Sequence, residues 1–103
     1  MKDFTIDEIG NLYYEAAMGA HIDPHIDHYW IWGNRIVGIN LLGEAIMTFS
    51  IEYDDYSYEI EFQLGLGDVY VMTEESRYIW KHGVKKENIK KDRIVMTMRE
   101  FIK

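Results

Sequence analysis

Five side chains in this sequence have the types and spacing of a metal centre with an anion clamp: His25, Asp27 and His82, followed by Arg93 and Arg99. Two imidazoles and one carboxylate leave three metal positions open, a donor set that suits non-haem Fe(II) enzymes, which must admit both an organic cosubstrate and O2. Arg93 and Arg99 lie six residues apart, so on a strand they share one face with Val95 and Thr97 between them. Their backbones are then about 20 Å apart, and long side chains leaning toward each other can bracket a small dicarboxylate. One guanidinium would pair bidentately with the far carboxylate while the other lies nearer the metal, a task that suits arginine better than lysine. The pattern makes the chain an oxygenase candidate.

The H-x-D pair has two possible registers, because His21-Ile22-Asp23 precedes His25-Ile26-Asp27 in phase within the string HIDPHID. Residues at i and i+2 of a strand project to one face, so either pair can present an imidazole and a carboxylate to one ion. Pro24 suits a turn that ends and a strand that begins, which favours His25 and Asp27 and leaves His21 and Asp23 as the alternative. Each residue also has a bland reading. The histidines fit an acidic surface loop, His82 fits a turn before Gly83, and the arginines fit the flanks of a surface strand. Their joint occurrence is what points to a site.

These side chains need a rigid frame, and the rest of the chain reads as strands. With 103 residues, 48% hydrophobic and 15% aromatic, there is material for one domain spanning 1–103 with one core. Residues 36–42 are nearly all apolar, as in a strand covered on both faces. In residues 45–53, Ala45, Met47, Phe49, Ile51 and Tyr53 alternate with polar residues. After a turn at Asp54 and Asp55, residues 57–64 place Tyr58, Ile60, Phe62 and Leu64 inward, completing an antiparallel hairpin. Gly65 to Asp68 turns the chain again. Further strands are predicted at 69–73, 78–80 and 93–99, with 85–92 as a charged loop or short helix. A helix is predicted to begin only at 5–10. Several short strands of this kind point to a sandwich or a barrel-like jelly roll.

Composition narrows the chemistry. Without cysteine, thiolate metal sites, disulfides and cysteine nucleophiles are excluded, and histidine and carboxylate remain as metal donors. The first ten residues lack the features of a signal peptide, and no run of about 18 apolar residues occurs, so the expectation is a soluble intracellular protein in cytoplasm or nucleus, without a membrane partner. Residues 1–80 carry three basic and fifteen acidic groups, a balance of -12, whereas residues 81–103 carry eight and three, a balance of +5. The acidic bulk weighs against tight binding to duplex nucleic acid.

With those residues in order, the chain resembles the AlkB-type 2-oxoglutarate- and Fe(II)-dependent dioxygenases, most closely the branch called AlkB homologue four. The resemblance runs from about residue 11 to 101. It is carried by IDPHID at 22–27, WIWGNRIVGINLL at 30–42, GDVYVMTEESRYIWKHGV at 67–84 and RIVMTMREF at 93–101. The family pattern of H-x-D, a distal His and R-x5-R falls on His25, Asp27, His82, Arg93 and Arg99, and so selects one register of the duplicated tripeptide. The resemblance implies a mainly β, cupin-like double-stranded β-helix, truncated at the amino-terminal side, holding Fe(II) and 2-oxoglutarate and using O2. It further implies that Arg93 pairs with the distal carboxylate and that Arg99 sits near the metal-binding end. Asn11 with Tyr14 or Tyr13 is implied as an additional cosubstrate contact, Tyr14 being preferred.

By the same resemblance Trp30 and Trp32 lie near the substrate entrance, although their alternate spacing also fits ordinary core packing, the reading preferred for each. His28 reads as an exposed loop residue or a contact near the site, and Arg77 as a support for the loop before His82. One departure is Glu74, where relatives have a small glycine. A second is the missing amino-terminal portion, which in nucleic-acid-acting relatives grips a flipped base. The implied activity is oxidative demethylation, with the methyl group leaving as formaldehyde. The substrate would be methyl-lysine on a protein such as actin, or N6-methyladenine in DNA. The alternatives are a non-catalytic module of the same fold and a DNA or RNA alkylation-repair dioxygenase.

Overall fold

The computed structural model describes residues 3–89 and 91–102. Its eight strands are β1 (Glu8–Tyr14), β2 (Ile22–His25), β3 (Trp32–Leu42), β4 (Ala45–Tyr53), β5 (Tyr56–Leu64), β6 (Val69–Met72), β7 (Lys81–Val84) and β8 (Arg93–Phe101). A one-turn helix α1 (Glu75–Tyr78) precedes β7, and 3-10 turns occupy Ala16–Met18 and Lys86–Asn88. The strands form two four-stranded antiparallel sheets in the orders β1-β8-β3-β6 and β2-β7-β4-β5. This is a jelly roll, mainly β, as the resemblance implies.

The expected hairpin of β4 and β5 forms, its register running from Ala45 opposite Leu64 to Tyr53 opposite Tyr56. Its two-residue turn places Asp54 at φ 54°, a conformation that aspartate tolerates better than most residues. Three sequence expectations are corrected. Residues 8–10, assigned to an incipient helix, belong to β1, because β8 offers a full antiparallel ladder from Arg99 opposite Glu8 to Arg93 opposite Tyr14. Residues 78–80 are not a strand: Tyr78 ends α1, and the strand begins at Lys81. Finally, the supposed inward face of β5 is covered only at Leu64, while Tyr58, Ile60 and Phe62 stand exposed at the open edge of their sheet.

Two glycines permit close approach where the site is built. The ring of Tyr70 lies over Gly38, so near that a Cβ there would fall 2.1 Å from it. A Cβ on Gly43, at φ 74°, would fall 2.3 Å from the Asp92 carbonyl oxygen, so the turn between β3 and β4 packs directly on the start of β8. The compact apolar cluster nearby consists of Tyr14, Ala45, Val84, Ile89 and Val95.

Candidate metal centre

The ligand-bearing segment is not the regular strand that the H-x-D spacing suggests. Pro24 lies inside β2, and the pairing of β2 with β7 shifts register between Ile22 and His25. This irregularity accommodates a residue that cannot donate to a ladder. His25 is the last residue of β2, opposite His82 of β7, and Asp27 follows in the loop. Asp27 and His82 are buried, and His25 is half-buried. By contrast His21 and Asp23 pair with each other at 3.0 Å on the exposed surface.

One ligand atom from each of His25, Asp27 and His82 lies within 4.8 Å of the others, as a small metal ion requires. Asp27 Oδ1 is 3.0 Å from His25 Nε2 and 3.5 Å from His82 Nε2, and the two imidazole centroids are 4.3 Å apart. His25 Nδ1–H donates to the Asp23 carbonyl at 2.9 Å, which assigns the proton to Nδ1 and turns Nε2 toward the cluster. Burial pushes the Asp27 carboxyl pKa up, but hydrogen bonds from His25 and His82 and the Arg99 charge outweigh it and hold the group well below the usual carboxylate range. The His25 imidazole is correspondingly raised, chiefly by its hydrogen bond to Asp27.

Arg99 reaches the same carboxylate from β8. Its Nε is 3.1 Å from Asp27 Oδ2, its Nη1 donates to Glu8 Oε1 at 3.1 Å, and its guanidinium lies 5.2 Å from the Trp32 ring centroid. Trp32 in turn stacks on Phe101. Arg93, 1% exposed, stands deeper on the same strand face, its guanidinium 5.2 Å from the Tyr14 ring centroid. Both arginines line one cavity with the three metal-donor residues, Tyr14, Tyr70 and Thr97.

The β1 ladder sorts the remaining cosubstrate expectations by strand phase. Leu12 and Tyr14 face the cavity, so Asn11 and Tyr13, one step out of phase, project away from it, and both are exposed. Tyr13 instead donates its hydroxyl to Asp92 Oδ2 at 2.8 Å, which anchors the approach to β8. Burial pushes the Tyr14 phenol up to about 12.

The loop carrying Asp27 is held by Arg77. This buried guanidinium donates to the carbonyl oxygens of Asp27 at 2.9 Å, Gly33 at 3.0 Å, Trp32 at 3.1 Å and His28 at 3.4 Å. Arg77 therefore supports the first ligand loop, rather than the loop before His82 that the sequence pattern suggests. Trp30 is not a core residue; it is 59% exposed and stacks on His28 at 4.7 Å. Glu74 keeps a backbone suited to glycine, φ 52° and ψ -123°. Asn34 steadies it, accepting from Glu74 N at 2.8 Å and donating to Glu74 Oε1 at 3.0 Å.

Sequence reasoning missed Asn40, which is 0% exposed and accepts at Oδ1 from Arg93 Nε at 3.0 Å. The signal was present: a lone amide within the apolar string IVGINLL must find buried partners.

The donor set and the arginine pair fit an iron ion with a chelating diacid. Of the five buried side-chain polar atoms without a hydrogen-bond partner among the described residues, four belong to this cavity: Arg93 Nη2, the Tyr14 hydroxyl, His82 Nδ1 and Arg99 Nε, the last being ion-paired with Asp27. Groups such as the first two are costly to bury and suit an anion that completes them. Residues 9–99 match the model of the 2OG-Fe(II) oxygenase superfamily. The chain belongs to this superfamily.

Within the superfamily the chain is of AlkB type. It is 41% identical over its whole length to a Caenorhabditis elegans protein named DNA N6-methyl adenine demethylase, of which it spans 38%. It is 27% identical over 98% of its length to the mouse alpha-ketoglutarate-dependent dioxygenase alkB homolog 4, spanning 43% of that protein. Among solved structures, the Drosophila melanogaster CENP-C domain bound to CAL1 superimposes with TM-score 0.60 at 12% identity, over 97% of this chain and 68% of that one. The CENP-C cupin domain from the same organism gives 0.52, over 97% of this chain and 64% of that one. These two likenesses establish the cupin-type fold.

Proposed function

We propose that this domain is the catalytic core of an oxidative demethylase that removes a methyl group from nitrogen. His25, Asp27 and His82 would hold Fe(II), and Arg93 with Tyr14 would hold the far carboxylate of 2-oxoglutarate. The observation that carries the reading is the convergence of the three donor atoms within 4.8 Å, in one cavity with a buried arginine whose Nη2 has no partner. When bound, the iron and cosubstrate would supply the oxidation, with one oxygen atom of O2 going to the methyl group and the other to succinate as CO2 is released. The resulting hydroxymethyl amine breaks its C–N bond to give formaldehyde, and the nitrogen recovers a proton. Arg99 keeps Asp27 oriented and ionised, and Arg77 holds the loop that presents it.

The substrate would approach through a groove of about 600 Å³ between β5 and β6, lined by Phe49, Ile60, Phe62, Tyr70, Met72 and Trp80. It shares Met47, Tyr70 and Met72 with the metal cavity, and the Phe49 ring is 6.2 Å from that of His82. Apolar and aromatic walls suit either a methylated ammonium or a methylated base. The similarity to a protein named for N6-methyladenine makes methylated DNA the first substrate to test. The -12 balance over residues 1–80 favours methyl-lysine on a basic protein segment as the second.

Anaerobic addition of Fe(II) and 2-oxoglutarate is expected to give the visible charge-transfer band of the chelate, and its absence would defeat the proposal. Formaldehyde release from an N6-methyladenine oligonucleotide or a methyl-lysine peptide then separates the two substrates. An intact band with no turnover on either, and no succinate, would instead identify a non-catalytic module.

A further inference from the structure

We propose that Asn40 is a positioning residue for cosubstrate selection: it orients the Arg93 guanidinium so that its unpaired edge meets the far carboxylate of a five-carbon 2-oxo diacid. This rests on the reading of Arg93 as the cosubstrate anchor. A buried primary amide has one acceptor and two N–H donors to place, and Asn40 divides them between two tasks. Its Oδ1 accepts from Arg93 Nε at 3.0 Å, whereas its Nδ2 donates to the Gly65 carbonyl at 3.1 Å and to the Gly43 carbonyl. The backbone is tied to the same place, with Asn40 N donating to Asp68 O at 2.9 Å and Gly67 N donating to Asn40 O at 2.7 Å.

Asn40 therefore joins the turn after β3 and the turn after β5 to one guanidinium. The start of β8 is pinned as well, by Gly43 packing on the Asp92 carbonyl and by Asp92 accepting from the Tyr13 hydroxyl at 2.8 Å and from Ala16 N at 3.0 Å. With both the backbone and Nε of Arg93 fixed, rotation about the last side-chain bond is restricted. Nη2 remains buried beside Tyr14, the guanidinium carbon 5.2 Å from the ring centroid, and neither Nη2 nor the Tyr14 hydroxyl makes a hydrogen bond of good geometry among the described residues. An anchor ordered before binding spares the ligand the entropy of ordering it. An Arg93 held in one orientation in the cavity of the metal donors would also favour a chelator that carries a distal carboxylate over one that binds the metal alone.

The test compares two chelators on the Mn(II)-loaded protein by calorimetry: 2-oxoglutarate, which has a distal carboxylate, and oxalate, which binds the metal alone. Asn40→Ser is expected to weaken 2-oxoglutarate at least tenfold and to change oxalate by less than twofold. In an Arg93→Met background, adding Asn40→Ser should cause no further loss, because residues acting through one contact are not additive. Equal losses for both chelators, full additivity, or unchanged 2-oxoglutarate affinity would overturn the proposal. If Asn40→Ser does not fold, the unaltered protein decides: the Arg93 Nε–H resonance should exchange slowly with water before any diacid is added, and exchange at the rate of an exposed arginine would overturn the proposal. Failure of the unaltered Mn(II) protein to bind either chelator would instead sink the underlying metal and cosubstrate reading.

Discussion

The two ends of the barrel interior are built on opposite terms. At the metal end, the buried polar side chains are tied to distant parts of the chain: Asp27 to Arg99, the Asp27 loop to Arg77, and Arg93 to Asn40. At the β5 edge, Tyr58, Ile60 and Phe62 present apolar surface that the described residues leave uncovered. The buried side chains around the three donors are thus fixed inside this chain, as a site that needs precise geometry requires, whereas the β5 edge is left open. On the function proposed above, the first region would serve oxygen activation and the second substrate choice, and each half of the comparison can be broken.

The largest effect is expected at the metal end. His82→Ala removes one of three donors, so it should abolish the charge-transfer band with Fe(II) and 2-oxoglutarate and lower turnover by roughly a thousandfold or more. His21→Ala, in the exposed duplicate of the motif, should leave the band unchanged. Equal loss from both would show that the register is misassigned.

Arg77→Ala should destabilise the fold by about 3 kcal/mol, read from urea unfolding, because four carbonyl oxygens lose a buried charged donor. A loss below about 1 kcal/mol would mean that the Asp27 loop is held by other contacts.

At the open edge the signs should differ. Phe62→Ser, at a half-exposed position, should cost less than about 1 kcal/mol in stability, while raising the KM for the methylated substrate several-fold and leaving 2-oxoglutarate binding intact. If 2-oxoglutarate affinity falls as well, the two regions are not separable.

Glu74→Gly relieves a positive-φ backbone and gives up the Asn34 hydrogen bond to the carboxylate, with a net gain of about 1 kcal/mol expected in unfolding free energy. A loss would show that the Asn34 contact outweighs the strain.

A further effect is alkaline. Burial raises the Tyr14 phenol in the folded state from 10.0 to about 12, so the unfolded chain loses this proton first. The stability linked to Tyr14 is fully present below pH 10 and is lost as pH rises toward 12. Tyr14→Phe should flatten that part of the alkaline stability curve, and an unchanged curve would count against the buried placement.

How much was legible beforehand follows from the range of each interaction. The β4 and β5 hairpin was readable because alternation and a two-residue turn are local. Tyr14 and Tyr13 could not be separated by spacing alone, since strand phase depends on the ladder with β8, some 80 residues away. The β1 strand itself resembled a helix start for the same reason: its partner is distant. Arg77 and Asn40 illustrate a harder case, because a single buried polar residue advertises that it needs partners without indicating which.

The sequence by itself determined the chemistry on offer: a cysteine-free donor set of two histidines and a carboxylate, an arginine pair in strand phase, and the family strings around them. Tertiary structure alone decided that Asp27 sits in a clamped loop beyond a bulged strand, that Tyr14 rather than Tyr13 faces the cavity, and that Asn40 holds Arg93. Donor identity is a property of single residues. Position and orientation come from ladders and buried hydrogen bonds that join residues far apart in the chain, and these exist only once the two sheets have closed.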